Sequence, residues 1–196
     1  MADAPLEKAE ITLDDLMSIS ERVEIIDGEM IEMTAAGIAH QLIVGNIFRA
    51  LDAYVIAHDS GAVFPDGLTY LMYSSSSGLK DSYVPDVSFV RKENIPNDLD
   101  PEKPHPGVPD LAVEVISPSK GADQVQRKVR TYLDEGTEQV WIVYPTAREL
   151  HQFRGGSDTV RIYKESQTIE TETLFPEQQL TTDVVFHLPD WAVKDS

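Results

Sequence analysis

The sequence predicts one α/β or α+β domain built on a mixed sheet, and three observations predict it. Two stretches, 38–58 and 121–135, carry apolar residues at helical spacing. Two runs, 110–117 and 138–145, are apolar on nearly every residue, the pattern of strands covered on both faces. Shorter strand-like segments lie before, between and after them. The 196 residues amount to one domain at roughly 150 residues per domain. With 41% apolar and 26% charged residues, the composition is that of a globular chain able to bury a core.

The elements follow in order. Residues 1–10 read as a frayed, charged tail. Thr12 caps a short helix over 13–19, with Asp14 and Asp15 where the helix dipole favours acids. In RVEIIDGEMIEM (22–33), two short strands flank Asp27-Gly28, a hairpin signal. Ile38, Leu42, Ile47, Leu51 and Val55 place one long helix over 38–58, ended by His58 to Gly61. AVFPDGLTYLMY supplies strand formers, and SSSSG (74–78) reads as a mobile loop tip. SYVPDVSFV (82–90) reads as a strand. A loop with five prolines spans 94–109. DLAVEVIS (110–117) is a central strand stopped by Pro118. Gly136 ends the helix over 121–135. The strand EQVWIVYP follows, and ELHQFR, TVRIYKE and DVVFHL read as shorter strands.

Composition excludes several functions. The absence of cysteine removes disulfides, thiolate metal sites and cysteine nucleophiles, and it fits a cytoplasmic location. A net charge of −18 argues against loose binding to nucleic acid or an anionic membrane. No apolar run approaches the ~20 residues of a membrane span, and no secretory signal is visible. Nucleophile-elbow, zinc-helix, P-loop and dinucleotide-glycine patterns are missing, and the five histidines have no ligand spacing.

One constellation remains. Pro85-Asp86 and Pro109-Asp110 each open a strand-like run, and Glu114 interrupts the second. Strand alternation places Asp110, Ala112, Glu114 and Ile116 on one face. A carboxylate there is costly unless it is paired, hydrogen-bonded or on a metal. If the two strands are neighbours, Asp86 is its partner, and an all-oxygen pair suits Mg²⁺ or Mn²⁺. On the next helix, Lys128 lies about 60° from Val125 and borders the buried stripe, while Arg127 and Arg130 face outward. Two acids, a metal and a lysine are what phosphodiester hydrolysis requires.

The chain resembles the Uma-two family, grouped with endonucleases in the restriction-endonuclease-like superfamily whose signature is PD-(D/E)XK. RVEIIDGEMIEM, His40, VPDVSFV, PDLAVEVISPS, Lys128 with Tyr132, and EQVWIVYP match in order. The resemblance implies a restriction-endonuclease-like fold, a central mixed sheet flanked by helices. It implies Mg²⁺-dependent hydrolysis of DNA, with Asp86, Glu114 and Lys128 catalytic and the Val115 carbonyl as a further metal ligand. Glu24, Glu29, His40 and Asp110 are accessory candidates. The superfamily lysine normally stands two residues after the glutamate, where this chain has Ile116, so Lys128 takes its place from the helix. Tyr144 stands where members more often carry an acid. DNA is the implied substrate, no membrane is involved, and cutting two strands makes a homodimer an expectation.

Structural readings stand beside these. Asp86 caps a turn, Glu114 pairs with Lys128 or Arg130, Lys128 snorkels, and Asp110 and His40 are satisfied polar residues. On that view the protein is a catalytically silent module that binds nucleic acid or protein. Twelve acids against three bases in residues 1–60 favour it. RNA or a nucleotide is a third substrate reading, since an acid pair does not distinguish sugars.

Overall fold

The computed structural model describes residues 10–75, 78–117 and 121–192. The expected tail (1–9 of it), the centre of SSSSG (76–77), and Pro118 with Lys120 lie outside the described residues.

Thr12 caps α1 (Leu13–Ser18) through a capping box. Its hydroxyl accepts the Asp15 N–H at 3.1 Å, and the Asp15 carboxylate accepts the Thr12 N–H at 2.8 Å. β1 (Val23–Ile26) and β2 (Glu29–Glu32) form the expected hairpin. Its turn needs two left-handed residues, and Asp27 (φ 51°) and Gly28 (φ 72°) supply them. α2 (Ile38–His58) has the predicted bounds and ends on Asp59 in the left-handed region.

The strands divide between two sheets. The first, in order β2-β1-β5-β4-β7, adds β4 (Tyr70–Ser75), β5 (Gly78–Tyr83) and β7 (His105–Pro106) to the hairpin. The second has the order β11-β10-β9-β8-β6-β3. It contains β3 (Gly61–Pro65), β6 (Val87–Arg91), β8 (Leu111–Val115), β9 (Gln139–Tyr144), β10 (Glu149–Arg154) and β11 (Arg161–Tyr163). β8 and β9 are parallel, and α3 (Ala122–Asp134) makes the crossover that a parallel pair requires.

β8 is central and buried at every residue. Its odd residues Leu111, Val113 and Val115 pack with Ile43, Ile47 and Leu51 of α2. Ala112, with Ile116 just past the strand, packs with Val125, Val129 and Tyr132 of α3. Strand alternation therefore delivers Glu114 to the α3 face.

Two expectations change. SYVPDVSFV is two strands in different sheets, because Pro85 has no N–H for a ladder and the chain crosses between sheets at Val84 to Asp86. DVVFHL is largely a helical turn, α4 (Thr182–Val185). Thr182, Val185 and Phe186 are buried at helical spacing, and the Thr181 hydroxyl accepts the Val184 N–H.

Candidate functional site

The passage between sheets at Val84 to Asp86, the end of β8, the hairpin, the start of α2 and α3 surround one cleft of about 970 Å³. Asp86, Glu114, Val115, Lys128, Glu24, Glu29 and His40 all line it, and Asp110 does not.

Asp86 is held by backbone as much as by side chains. β6 pairs with β8 antiparallel, Val87 opposite Val113, and the Asp86 N–H donates to the Val113 carbonyl at 3.0 Å. Its Oδ2 accepts the Val115 N–H at 2.6 Å, and its Oδ1 lies 3.1 Å from His40 Nε2. The acid is thus fixed beside the residue that follows Glu114.

Glu114, 2% exposed, accepts on Oε1 from Lys128 Nζ at 2.7 Å and from the Tyr132 hydroxyl at 3.0 Å. Lys128 also donates at 2.7 Å to Oε1 of Glu24, which accepts the Val84 N–H at 3.0 Å. One ammonium, with Glu24, therefore joins the hairpin, the passage at Val84, β8 and α3. It stands 5.2 Å from the centre of the Tyr83 ring, which adds a cation–π contact. Burial disfavours the Lys128 charge, yet Glu114 and then Glu24 outweigh it and hold its pKa above the ordinary lysine value. Tyr132 is pushed well above the usual phenol range, first by burial and then by Glu114 and Glu24, so its hydroxyl stays a donor. Burial likewise raises Tyr83.

Among the described residues, no three His, Cys, Asp or Glu side chains meet as a metal cluster. Two carboxylates and a strand-end carbonyl are too few for a closed tetrahedral zinc site. Oxygen donors of this kind are the ligand chemistry of a hard cation that keeps several of its waters, such as Mg²⁺.

The sequence profile of a family described as "Putative restriction endonuclease", Uma2, matches residues 13–183. The chain belongs to the Uma2 family. Its fold is similar to the crystal structure of "a putative nuclease belonging to DUF820 from Anabaena variabilis ATCC 29413". The two share 20% identity and a TM-score of 0.75, covering 90% of this chain and 97% of the other. No curated protein matches the chain.

Within this Uma2 chain the accessory candidates separate. Glu24 shares Lys128 with Glu114, and His40 contacts Asp86. Glu29 lines the cleft from the exposed strand β2. Asp110 lies outside the cleft lining: it pairs with Arg91 at 2.8 Å, accepts the Arg91 N–H at 2.8 Å, and accepts from Asn94 at 2.7 Å. Arg130 is exposed, as the helical phase predicts, and Arg127 is paired with Asp27. Sequence reasoning named Tyr132 with Lys128 in the resemblance but gave it no role, although its place four residues after Lys128 was a usable signal. It also missed the Arg22–Asp66 pair, 44 residues apart, for which no local signal exists. Among the described residues, no helix is long and apolar enough to cross a membrane.

Proposed function

We propose that this chain is a divalent-metal-dependent endonuclease that hydrolyses DNA phosphodiester bonds in the cleft. Asp86 and Glu114, with the Val115 carbonyl, are the residues that would hold Mg²⁺ or Mn²⁺. The observation that carries this reading is one buried lysine bonded to Glu114 beneath a cleft that Asp86 also lines. Membership of the Uma2 family supports the nuclease class.

When bound, the cation supplies a more acidic water and neutralises charge on the phosphate. The residues of the chain do the rest. Lys128 stays protonated at neutral pH, so it acts as a fixed positive charge and not as a base. An ammonium has three donors and two of them go to glutamates, which leaves one for a phosphate oxygen or the attacking water. Glu24 and Tyr132 hold that ammonium and Glu114 in place. The Val115 N–H fixes Asp86, and His40 orients it from the far oxygen.

The test is cleavage of plasmid and labelled single-stranded DNA with Mg²⁺, Mn²⁺ or EDTA. Metal-dependent cuts that vanish in Glu114→Gln, with an unchanged circular dichroism spectrum, are expected. Cuts that persist in that variant would contradict the proposal.

A silent binding module on the same fold is the second reading. It is favoured by a cleft that carries eight carboxylates against three lysine and arginine side chains. Binding of an oligonucleotide or protein without turnover under any of these conditions would select it.

A further inference from the structure

The acid excess of the cleft raises a question that the proposed chemistry does not answer: what meets the phosphates on either side of the bond to be cut. Each of the three lysine and arginine side chains that line the cleft is ion-paired. They are not equally committed. The Lys128 side chain is 8% exposed and bonded to two buried glutamates. The Arg22 and Arg127 side chains are 51% and 40% exposed, and each pairs with a carboxylate of the cleft wall. Arg22 grips Asp66 with both terminal nitrogens, Nη1 at 2.8 Å from Oδ2. Arg127 reaches from α3 to Asp27 at the hairpin turn.

The Arg127–Asp27 pair is open to water on both sides, with Asp27 61% exposed, whereas Asp66 is 14% exposed and only the arginine of its pair is open; both pairs are more exchangeable than the buried Lys128 network, the Arg127 pair the more so. A guanidinium that holds a carboxylate in a two-pronged grip can hold a phosphate in the same way. Arg22 immediately precedes β1, Asp27 immediately follows it, and Glu24 lies between. The two residues that bracket β1 are about 16 Å apart along the strand at ~3.3 Å per residue. The exchangeable cations thus stand on opposite sides of the residue that shares Lys128 with Glu114. Arg22 also lies close enough to Asp86 and Glu24 for both charges to act on it.

We propose that Arg22 and Arg127 are the contacts for the substrate backbone phosphates, held in reserve by Asp66 and Asp27, gripping a strand on both sides of the cleavage position. This assignment rests on the nuclease reading. It deepens that reading by making the substrate a strand that passes through the cleft, not a chain end inserted into it. The acids are part of the device: they keep the cleft cations neutralised until a phosphate replaces them.

The design predicts effects of opposite sign within each pair. Binding of a fluorescein-labelled single-stranded DNA 20-mer is followed by anisotropy in a Glu114→Gln background, so that no strand is cut. Arg22→Ala and Arg127→Ala should each weaken binding about tenfold. Each should also lower the steepness of the salt dependence by about 0.7. Asp66→Asn and Asp27→Asn should tighten binding several-fold, and asparagine keeps the left-handed turn at position 27. In the cutting enzyme, the same arginine substitutions should raise KM and leave kcat near wild type. Arginine variants that bind within twofold of the parent overturn the assignment. So do acid variants that weaken binding as the arginine variants do, which would mean that the pairs only hold the fold. A parent that does not bind the 20-mer also overturns it. If wild type binds but never cuts, the nuclease reading fails while the anisotropy results still decide the role of the arginines.

Discussion

Lys128 illustrates how one side chain can hold a site together and still be hard to assign from sequence. Helical phase put it at the margin of the apolar stripe, which suits a snorkelling lysine as well as a functional one. What separates the two is tertiary: Glu24 lies 104 residues away and Glu114 on the preceding strand, each at 2.7 Å. Removing one partner from a buried ion pair leaves charge uncompensated, so Lys128→Met should cost about 3–5 kcal/mol. In a chain of this length that is a fall of about 10 °C in Tm. Adding Glu24→Gln should recover part of the loss in a double-mutant cycle. A loss below about 1 kcal/mol would mean that the network is not a buried one. Glu114 was legible because it is the one charge inside an apolar run. Asp86 and Asp110 share the Pro-Asp pattern, and only their surroundings tell them apart. Asp110→Ala should therefore lower stability by about 2–3 kcal/mol, because it removes the acceptor that Arg91 and Asn94 share. Cleavage by the folded fraction should be unchanged, and a variant that stays stable but inactive would return Asp110 to the site.

At the scale of elements, legibility followed length and local chemistry. The 21 residues of α2 repeat the apolar period enough times to fix both ends. The Asp27-Gly28 turn and the Thr12 cap announce themselves by residue type. Six residues such as DVVFHL fit either period, and the cap at Thr181 with the burial of Val185 and Phe186 decides for a helix. Thr181→Ala should cost about 1 kcal/mol, read as a shift of about 2–4 °C in Tm. No change would show that packing alone holds α4. Pro85 was visible, but its consequence was not. A proline at a strand start usually only delimits the strand, whereas here it also marks the passage between sheets that sets Asp86 beside Val115. The division of the strands into two sheets depends on pairings such as β1 with β5, which no local pattern encodes.

Across the whole molecule, charge and pH act together. His105, buried beside the Tyr70 ring at 5.1 Å, has its pKa lowered by burial, against the opposing pull of Asp110. The unfolded chain then takes up a proton near pH 6.5 while the folded chain resists. Stability from this residue is complete above that value and is lost as pH falls toward the lower folded pKa. Between about pH 7.5 and about pH 5.5, His105→Phe should show a smaller fall in Tm than wild type, and parallel curves would contradict this. The net charge of −18 makes any cation held in the cleft a large local change. The most direct test is an anomalous difference map from a crystal soaked in Mn²⁺. A peak in contact with both Asp86 and Glu114 and with the Val115 carbonyl is expected. Density confined to the outer carboxylates of the hairpin, or no peak between those two acids, would contradict it.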